Sequence, residues 1–270
     1  MVCECVFHLV DTVNIRSKVN DGSNQSKNTW QQIRAIYTKE GLFGFGKGFS
    51  ACFYGSIFCG FSYFFLYKFM KLTLYERYGE NINPTYVFLI SSMTAETLTI
   101  IVHFPYDLIK CRLQSRNYIF KYKNLPHAFR KEIRNNGVLS LYQGALPFLL
   151  TYSTFVGLQF TIYERMTKYY KSLYSEQEFK DREMSVNFKC GLVAGSIAAG
   201  ITNPLECLTV NKQTGGKDFS IKQFIKEEGV KNICLKGIGP RIAYNAFQSV
   251  LFFSAVLKLG KLYNVELGED

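Results

Sequence analysis

The sequence lacks the residue clusters that metal sites, disulfide frameworks and enzymes require. Only three histidines occur, at His8, His103 and His127, too scattered along the chain to suggest a metal site. Eight cysteines are present, but none forms a C-x-x-C pair and most lie within apolar runs, so we expect buried free thiols. The sequence contains no phosphate-binding loop and no nucleophile–base arrangement. We therefore predict that the protein is not an enzyme and binds neither a cofactor nor a metal.

Acidic residues are scarce relative to basic ones. The 21 Asp and Glu against 32 Lys and Arg give a net charge of +11, which suggests an anionic partner such as an acidic lipid or an anionic solute. The basic residues are not interleaved with aromatic ones as in a nucleic-acid module, so we expect no nucleic acid partner. The first residues also lack the basic start of a signal peptide and the arginines of a transit peptide.

Long apolar runs dominate the chain. Hydrophobic residues make up 47% of it and aromatic residues 16%, a composition that suits a lipid-facing protein with interfacial rings. A helix needs about 20 mainly apolar residues to cross roughly 30 Å of hydrocarbon. Five runs reach that length, and a shorter one precedes them: 48–74, 85–111, 147–170, 186–210 and 240–263, after 1–15. We predict an all-α membrane protein with six spanning helices, the first of them short.

The spacing of acidic residues and glycines indicates an internal repeat. Asp11, Asp107 and Glu206 are separated by 96 and 99 residues. The glycine pairs Gly41/Gly48, Gly137/Gly144 and Gly229/Gly237 recur at a similar period, each after an amphipathic stretch with helical spacing: 27–39, 126–134 and 219–228. We predict a single domain, 1–270, with repeats of about 1–78, 79–178 and 179–270.

The middle repeat carries a proline followed by paired charges. Pro105 lies inside an apolar run, where it removes one backbone hydrogen bond and kinks the helix. Asp107 and Lys110 then fall on one helical face, followed by Arg112 and Gln114. A charge within a membrane helix is costly unless it faces a cavity and finds a partner. We expect such charges to close one end of a central cavity.

This pattern resembles the signature of the mitochondrial carrier family, P-x-[DE]-x-x-[KR]-x-[KR]-x-Q, which is complete at residues 105–114. The family's downstream acidic–Gly, aromatic and basic–Gly pattern recurs at 40–48 and 227–237, with a looser copy at 135–144. The resemblance covers the whole chain. It implies six helices in three tandem repeats with pseudo-three-fold symmetry, and three short amphipathic helices on the matrix side. It also implies a multi-pass location in the mitochondrial inner membrane and exchange of small metabolites by alternating access.

The resemblance further implies two opposed salt-bridge gates, and cardiolipin at the starts of the matrix-side helices and of the even-numbered helices. Lipid phosphates are expected near Gly48, Gly144 and Gly237, where helix dipoles and free N–H groups attract them. The implied matrix gate comprises acids, a base and two glutamines: Asp11, Lys110, Asp107, Glu206, Gln114 and Gln213.

Two of the three repeats depart from the signature. In the first, Leu9 replaces the proline and Asn14 the first base; in the third, Thr209 and Asn211 replace both bases. Around the ring, Asp11 is then expected to meet Lys110, Asp107 to face Thr209 and Glu206 to face Asn14. We therefore expect one ion pair of three to remain and two acids to lose their basic partners.

The opposite gate and the substrate positions are also unusual. Only Lys71 and Glu164 remain of the opposite gate. The substrate positions, one turn earlier, carry no charge: Tyr63, Phe64, Gln159, Phe160, Phe252 and Phe253. Two interpretations stay open, namely aromatic side chains that fill the cavity by packing, and a site for a small neutral or aromatic solute.

Three more features bear on the function. Gly191 and Gly195 form a G-x-x-x-G motif that allows close helix approach. Glu96, at an equivalent position in the second repeat, is a carboxyl within a span, either a proton or cation site or a polar contact to another subunit. Only eight residues precede Leu9, which cover roughly 12 Å of a roughly 30 Å core. We expect the first helix not to cross the membrane by itself.

Our main hypothesis from the sequence is a carrier-fold protein with impaired transport. It would serve as a structural or accessory subunit of a larger inner-membrane complex, such as a respiratory complex, with cardiolipin and other membrane subunits as partners. The alternative is an alternating-access exchanger of a small metabolite across the inner membrane. The complete signature in the middle repeat and the three-fold repeat favour the alternative. The short first helix, the altered gates, the aromatic cavity and Glu96 favour the main hypothesis.

Overall fold

The computed structural model describes residues 7–19, 29–78, 84–115, 120–216 and 219–262, and within these ranges every regular element is helical. This confirms the predicted all-α class. Ten α-helices are found in the described residues: α1 (His8–Lys18), α2 (Thr29–Glu40), α3 (Phe49–Tyr78), α4 (Pro84–Gln114), α5 (Leu125–Asn136), α6 (Ala145–Leu173), α7 (Glu176–Thr214), α8 (Ile221–Glu228), α9 (Val230–Leu235) and α10 (Ile238–Leu262). Two 3₁₀ turns, Leu42–Gly44 and Val138–Tyr142, precede α3 and α6.

The five long apolar runs coincide with α3, α4, α6, α7 and α10, each of 25 residues or more. Among the described residues, three helical stretches are long and apolar enough to cross a membrane: Leu42–Arg77, Val138–Leu173 and Glu176–Thr214. Both α4 and α7 continue as helices through their internal prolines, Pro105 and Pro204. The α1 helix has 11 described residues, and the prediction about the shortness of the first helix depends in part on residues 1–6, which lie outside the described ranges.

The described residues form two compact units. In the unit of residues 47–143, α3 packs along α4, and Gly55 makes this possible because a Cβ there would lie 2.8 Å from Tyr106 Cβ. A small buried cluster between α4, α5 and the adjoining turn, with Ile109, Ala128 and Leu141 among its members, holds α5 in place.

In the other unit, which contains residues 7–46 and 144–262, α7 packs against both α6 and α10, and α1 packs against α10. The glycines of the G-x-x-x-G motif lie where α7 meets α10. A Cβ on Gly191 would be 3.2 Å from Val250 Cα, and one on Gly195 would be 2.6 Å from the Asn245 carbonyl oxygen. The small residues therefore allow the two helix backbones to approach closely.

Candidate functional site

Three polar side chains from α1 and α10 meet at one carboxylate of α7. Glu206, two residues after Pro204 on α7, accepts a hydrogen bond of 2.9 Å from Asn14 Nδ2. Its second oxygen lies 3.0 Å from Lys18 Nζ and also contacts the Arg241 guanidinium. Helical geometry brings Asn14 and Lys18 to the same face of α1, because they are four residues apart. One carboxylate thus joins three helices of this unit.

The two cations of this cluster are deeply buried. The side chain of Lys18 is 0% exposed and that of Arg241 is 3% exposed, whereas Glu206 keeps 21% exposure. Lys18 also donates to Asn14 Oδ1 at 2.5 Å, and Arg241 donates to Thr202 Oγ1 at 2.6 Å. Buried charges need such partners, because an uncompensated one costs several kcal/mol. The cluster can therefore hold α1, α7 and α10 together only while Glu206 is ionised and in place.

The structure corrects one expectation at this point. Glu206 does contact Asn14, but the prediction that it loses its basic partner is wrong, because Lys18 and Arg241 supply two. Lys18 lies seven residues after Asp11, at the position that Gln114 and Gln213 occupy after the acids of the other repeats. Comparing the three repeats at that position would have revealed the basic residue. Nothing in the motif indicated Arg241.

The three predicted lipid-site glycines share one geometry. Gly48, Gly144 and Gly237 all have positive φ, at 81°, 87° and 68°. A Cβ on each would crowd the residue seven positions after a signature acid: 3.2 Å to Gln114 Cγ, 3.2 Å to Gln213 Cγ and 2.9 Å to Lys18 Cγ. The two predicted gate glutamines therefore lie against these glycines, as Lys18 lies against Gly237. Occupation of the turns by lipid stays a prediction.

Two buried arginines, whose partners the sequence analysis did not predict, connect α1 and α4 to the amphipathic helices α2 and α5. Arg16 forms a two-pronged ion pair with Glu40, at 2.9 and 2.8 Å. Arg112 lies 2.9 Å from Glu132 and stacks 4.4 Å from the centre of the Phe120 ring. A guanidinium suits such sites because its planar fork matches a carboxylate and stacks on aromatic rings.

Tyr122 and Asn136 complete the second of these clamps. Tyr122 donates to Glu132 at 2.6 Å, and Asn136 donates to its other carboxylate oxygen at 2.8 Å. Burial and the bond to Glu132 raise the pKa of Tyr122. Burial also acts to raise the pKa of Glu132, but the hydrogen bond from Tyr122 and the charge of Arg112 outweigh it and lower that pKa. Glu132 is therefore held as an ionised partner of Arg112.

The other predicted matrix-gate residues are divided between the two units. Asp11 is buried on α1, while Asp107 and Lys110 are half-buried on α4. Thr209, the expected partner of Asp107, lies with its hydroxyl oxygen 3.0 Å from that of Thr151. The pairing of Asp11 with Lys110, and of Asp107 with Thr209, stays a prediction.

The remnants of the opposite gate are exposed. Glu164 pairs with Lys168 at 2.8 Å, one turn along the same helix, and both side chains are about two-thirds exposed, at 66% and 65%. Lys71 is exposed on α3. Glu96 is also exposed, on α4. The exposed ion pair between Glu164 and Lys168 contributes little to the stability of the protein.

Four of the predicted substrate positions come together on α6 and α10. The Phe160 ring packs edge-on against Phe252 at 6.0 Å and Phe253 at 5.5 Å. Phe253 is buried against Tyr163, whereas Phe160 and Phe252 remain 47% and 42% exposed. Gln159 is buried and donates to Ser249 Oγ at 2.7 Å. Phe253 is therefore packed inside the protein, whereas Phe160 and Phe252 expose ring surface that another molecule can contact.

The remaining two substrate positions lie on α3, in the other unit. Tyr63 stacks on Tyr67 with ring centres 6.4 Å apart. Phe64 is 71% exposed.

Comparison with known proteins gives matches over almost the whole chain. The sequence model of the family described as "Mitochondrial carrier protein" matches three successive segments, residues 1–78, 83–173 and 180–266. Mitochondrial substrate carrier family protein E of Dictyostelium discoideum is 29% identical, over 97% of this chain and 92% of its own length.

Two further relatives are named for solutes. Mitochondrial thiamine pyrophosphate carrier 1 of Meyerozyma guilliermondii is 28% identical, over 88% of this chain and 82% of its own. The probable S-adenosylmethionine carrier 2, chloroplastic, of Arabidopsis thaliana is 28% identical, over 96% of this chain and 70% of its own. These names give no support to our main hypothesis of a structural subunit and favour the exchanger instead.

Proposed function

Since the chain belongs to the mitochondrial carrier family, we propose that it exchanges a small metabolite across the mitochondrial inner membrane by alternating access. The observation that carries this proposal is the buried cluster of Glu206, Lys18 and Arg241. One objection to transport was the loss of basic partners for two acids, and for Glu206 that objection no longer holds.

The cluster has the properties that a reversible closure needs. Its three bonds converge on one carboxylate, so a displacement of Glu206 breaks all of them together. Glu206 is 21% exposed, so water can reach the carboxylate when its partners withdraw. A buried, water-free pair would be far more costly to open, since each ion would have to be separated in a low dielectric.

We propose that the transported solute carries an aromatic or heteroaromatic ring. The half-exposed Phe160 and Phe252 offer ring faces and edges, and aromatic pairs at such distances are worth roughly 0.5–1.5 kcal/mol beyond the buried area. Two relatives are named for thiamine pyrophosphate and S-adenosylmethionine, and those solutes are therefore the first to test.

Solute binding can be measured by the melting temperature of the purified protein in mild detergent. A ligand that binds only the folded protein stabilises it by about 2.7 kcal/mol at a hundred times its dissociation constant. We expect at least one ring-bearing solute of a panel containing the two named ones to raise the melting temperature, and Phe160→Leu to reduce that shift. Inorganic phosphate serves as the ring-free control. A panel in which phosphate stabilises as well as the ring-bearing solutes would contradict the proposed specificity.

We also propose that cardiolipin binds at the turns of Gly48, Gly144 and Gly237. Each turn begins a long helix, where free N–H groups and the helix dipole favour a phosphate. We expect cardiolipin added to delipidated protein to raise its melting temperature more than the same amount of phosphatidylcholine does. Equal shifts by the two lipids would contradict a specific site.

A further inference from the structure

Three turns on the chain expose apolar side chains that the fold does not cover. The first turn presents Leu42 and Phe43, exposed by 74% and 92%; the second presents Val138 and Leu139, exposed by 60% and 86%. Val230 holds the corresponding place in the third repeat and is 67% exposed. We call these five residues the turn tips. They directly follow the first glycine of each glycine pair, so the exposure is a property of the repeat.

The backbone explains why the tips project outward. Gly41, Gly137 and Gly229 end the three amphipathic helices with positive φ, at 65°, 80° and 76°. A Cβ on any of them would meet no atom within 4 Å, in contrast to the crowded Gly48. The chain therefore reverses at an open position, and the residues that follow lie at the outer edge of the turn.

The tips are continuous with the membrane-crossing stretches. The stretches that are long and apolar enough to span begin at two of the tips, as Leu42–Arg77 and Val138–Leu173. In the most apolar parts of these stretches only 22% and 11% of the residues are buried, so the described protein leaves most of them uncovered. An exposed apolar tip at the end of such a stretch extends the lipid-facing surface.

Exposed basic residues flank every tip. Lys39 and Lys47 surround the first turn, Arg134 precedes the second, and Lys226 and Lys231 surround the third. Lys and Arg can keep their charged ends at the level of lipid phosphates while apolar neighbours enter the acyl region. The combination of apolar tip and basic flank fits the interface of an acidic bilayer.

We propose that the turn tips insert into the boundary between headgroups and acyl chains and anchor the three turns to the membrane surface. The occupant of each tip is the bilayer itself and not a protein partner. This inference does not depend on the transported solute, because it concerns only the lipid contact of the turns.

A single-tryptophan experiment tests the proposal. Trp30 is the one tryptophan of the chain, so Trp30→Phe provides a silent background. Phe43→Trp and Leu139→Trp then place probes at two tips, and Gln177→Trp is the control, exposed in the charged first turn of α7 and outside the turns and their basic flanks. The variants are reconstituted in acidic phospholipid vesicles with and without brominated acyl chains, after their melting temperatures have been compared with that of the parent.

We expect blue-shifted emission at positions 43 and 139 and about twofold stronger quenching by brominated lipid than at position 177. Quenching that is equal at all three positions would overturn the proposal. So would water-like emission at the two tips, which is the result expected if the tips bind another protein instead of lipid.

Discussion

At the residue scale, the functional argument rests on which side chain reaches Glu206. The signature places the base three residues after the acid, where this chain has Asn14, and on that basis the sequence predicts an acid without a base. Lys18 lies one helical turn beyond Asn14 and reaches the same carboxylate, because residues four apart share a face. Lys18 stands at the glutamine position of the signature, so a comparison of the repeats reveals the basic residue but not its contact with Glu206. Arg241 was unpredictable because it comes from a helix outside the motif.

Removing the charge of Glu206 tests the cluster. We expect Glu206→Gln to destabilise the protein by about 3 kcal/mol, because it leaves two buried cations without a carboxylate. The measurement is thermal or denaturant unfolding in detergent. Glu164→Gln is the matched control, since that carboxylate forms only an exposed pair within one helix, and it should leave stability unchanged.

A second substitution makes this test specific. Adding Lys18→Gln to Glu206→Gln should recover part of the lost stability, because it removes one of the uncompensated charges and restores the residue type found at this position in the other repeats. Further loss of stability in the double variant would contradict the assigned ion pair.

At the element scale, apolar periodicity predicted the long helices well and their ends less well. The run 186–210 predicts the core of α7, but the helix begins ten residues earlier, at Glu176. A capping box of Ser175 and Glu178 starts it, and charged residues form its first turns. An apolar run predicts only the part of a helix that faces lipid or is buried. It therefore cannot predict a helical extension that is solvated and polar. The amphipathic stretches, by contrast, end at glycines, and the ends of α2, α5 and α8 follow directly.

The contact between α7 and α10 yields a paired prediction at this scale. Gly195→Ala should destabilise the protein by about 1–3 kcal/mol, because the new Cβ would lie 2.6 Å from the Asn245 carbonyl oxygen and also meet Ser249, so that α10 must shift. Gly200→Ala, five residues along the same helix, meets no atom within 4 Å and should be neutral or stabilising. Equal melting temperatures for the two variants would contradict close packing at Gly195.

At the scale of the whole molecule, the triplicate organisation could be predicted from spacing alone. The intervals between acids and between glycines identified three copies, and the family model matches three successive segments. The same spacing also led to the hypothesis of impaired transport, which the spacing alone could not support. A comparison of the three motif copies shows which positions have changed. Only the folded structure shows whether other side chains, such as Lys18 and Arg241, have taken over the lost interactions.

Exchange across a bilayer tests the central claim most directly. Liposomes that contain the purified protein are loaded with the ring-bearing solute that stabilises it, and the uptake of labelled solute is followed. We predict saturable uptake that depends on solute inside the vesicle, that persists in Glu164→Gln and that falls at least about tenfold in Glu206→Gln. Uptake no faster than in protein-free liposomes, for every solute that binds, would contradict the account of this protein as an exchanger.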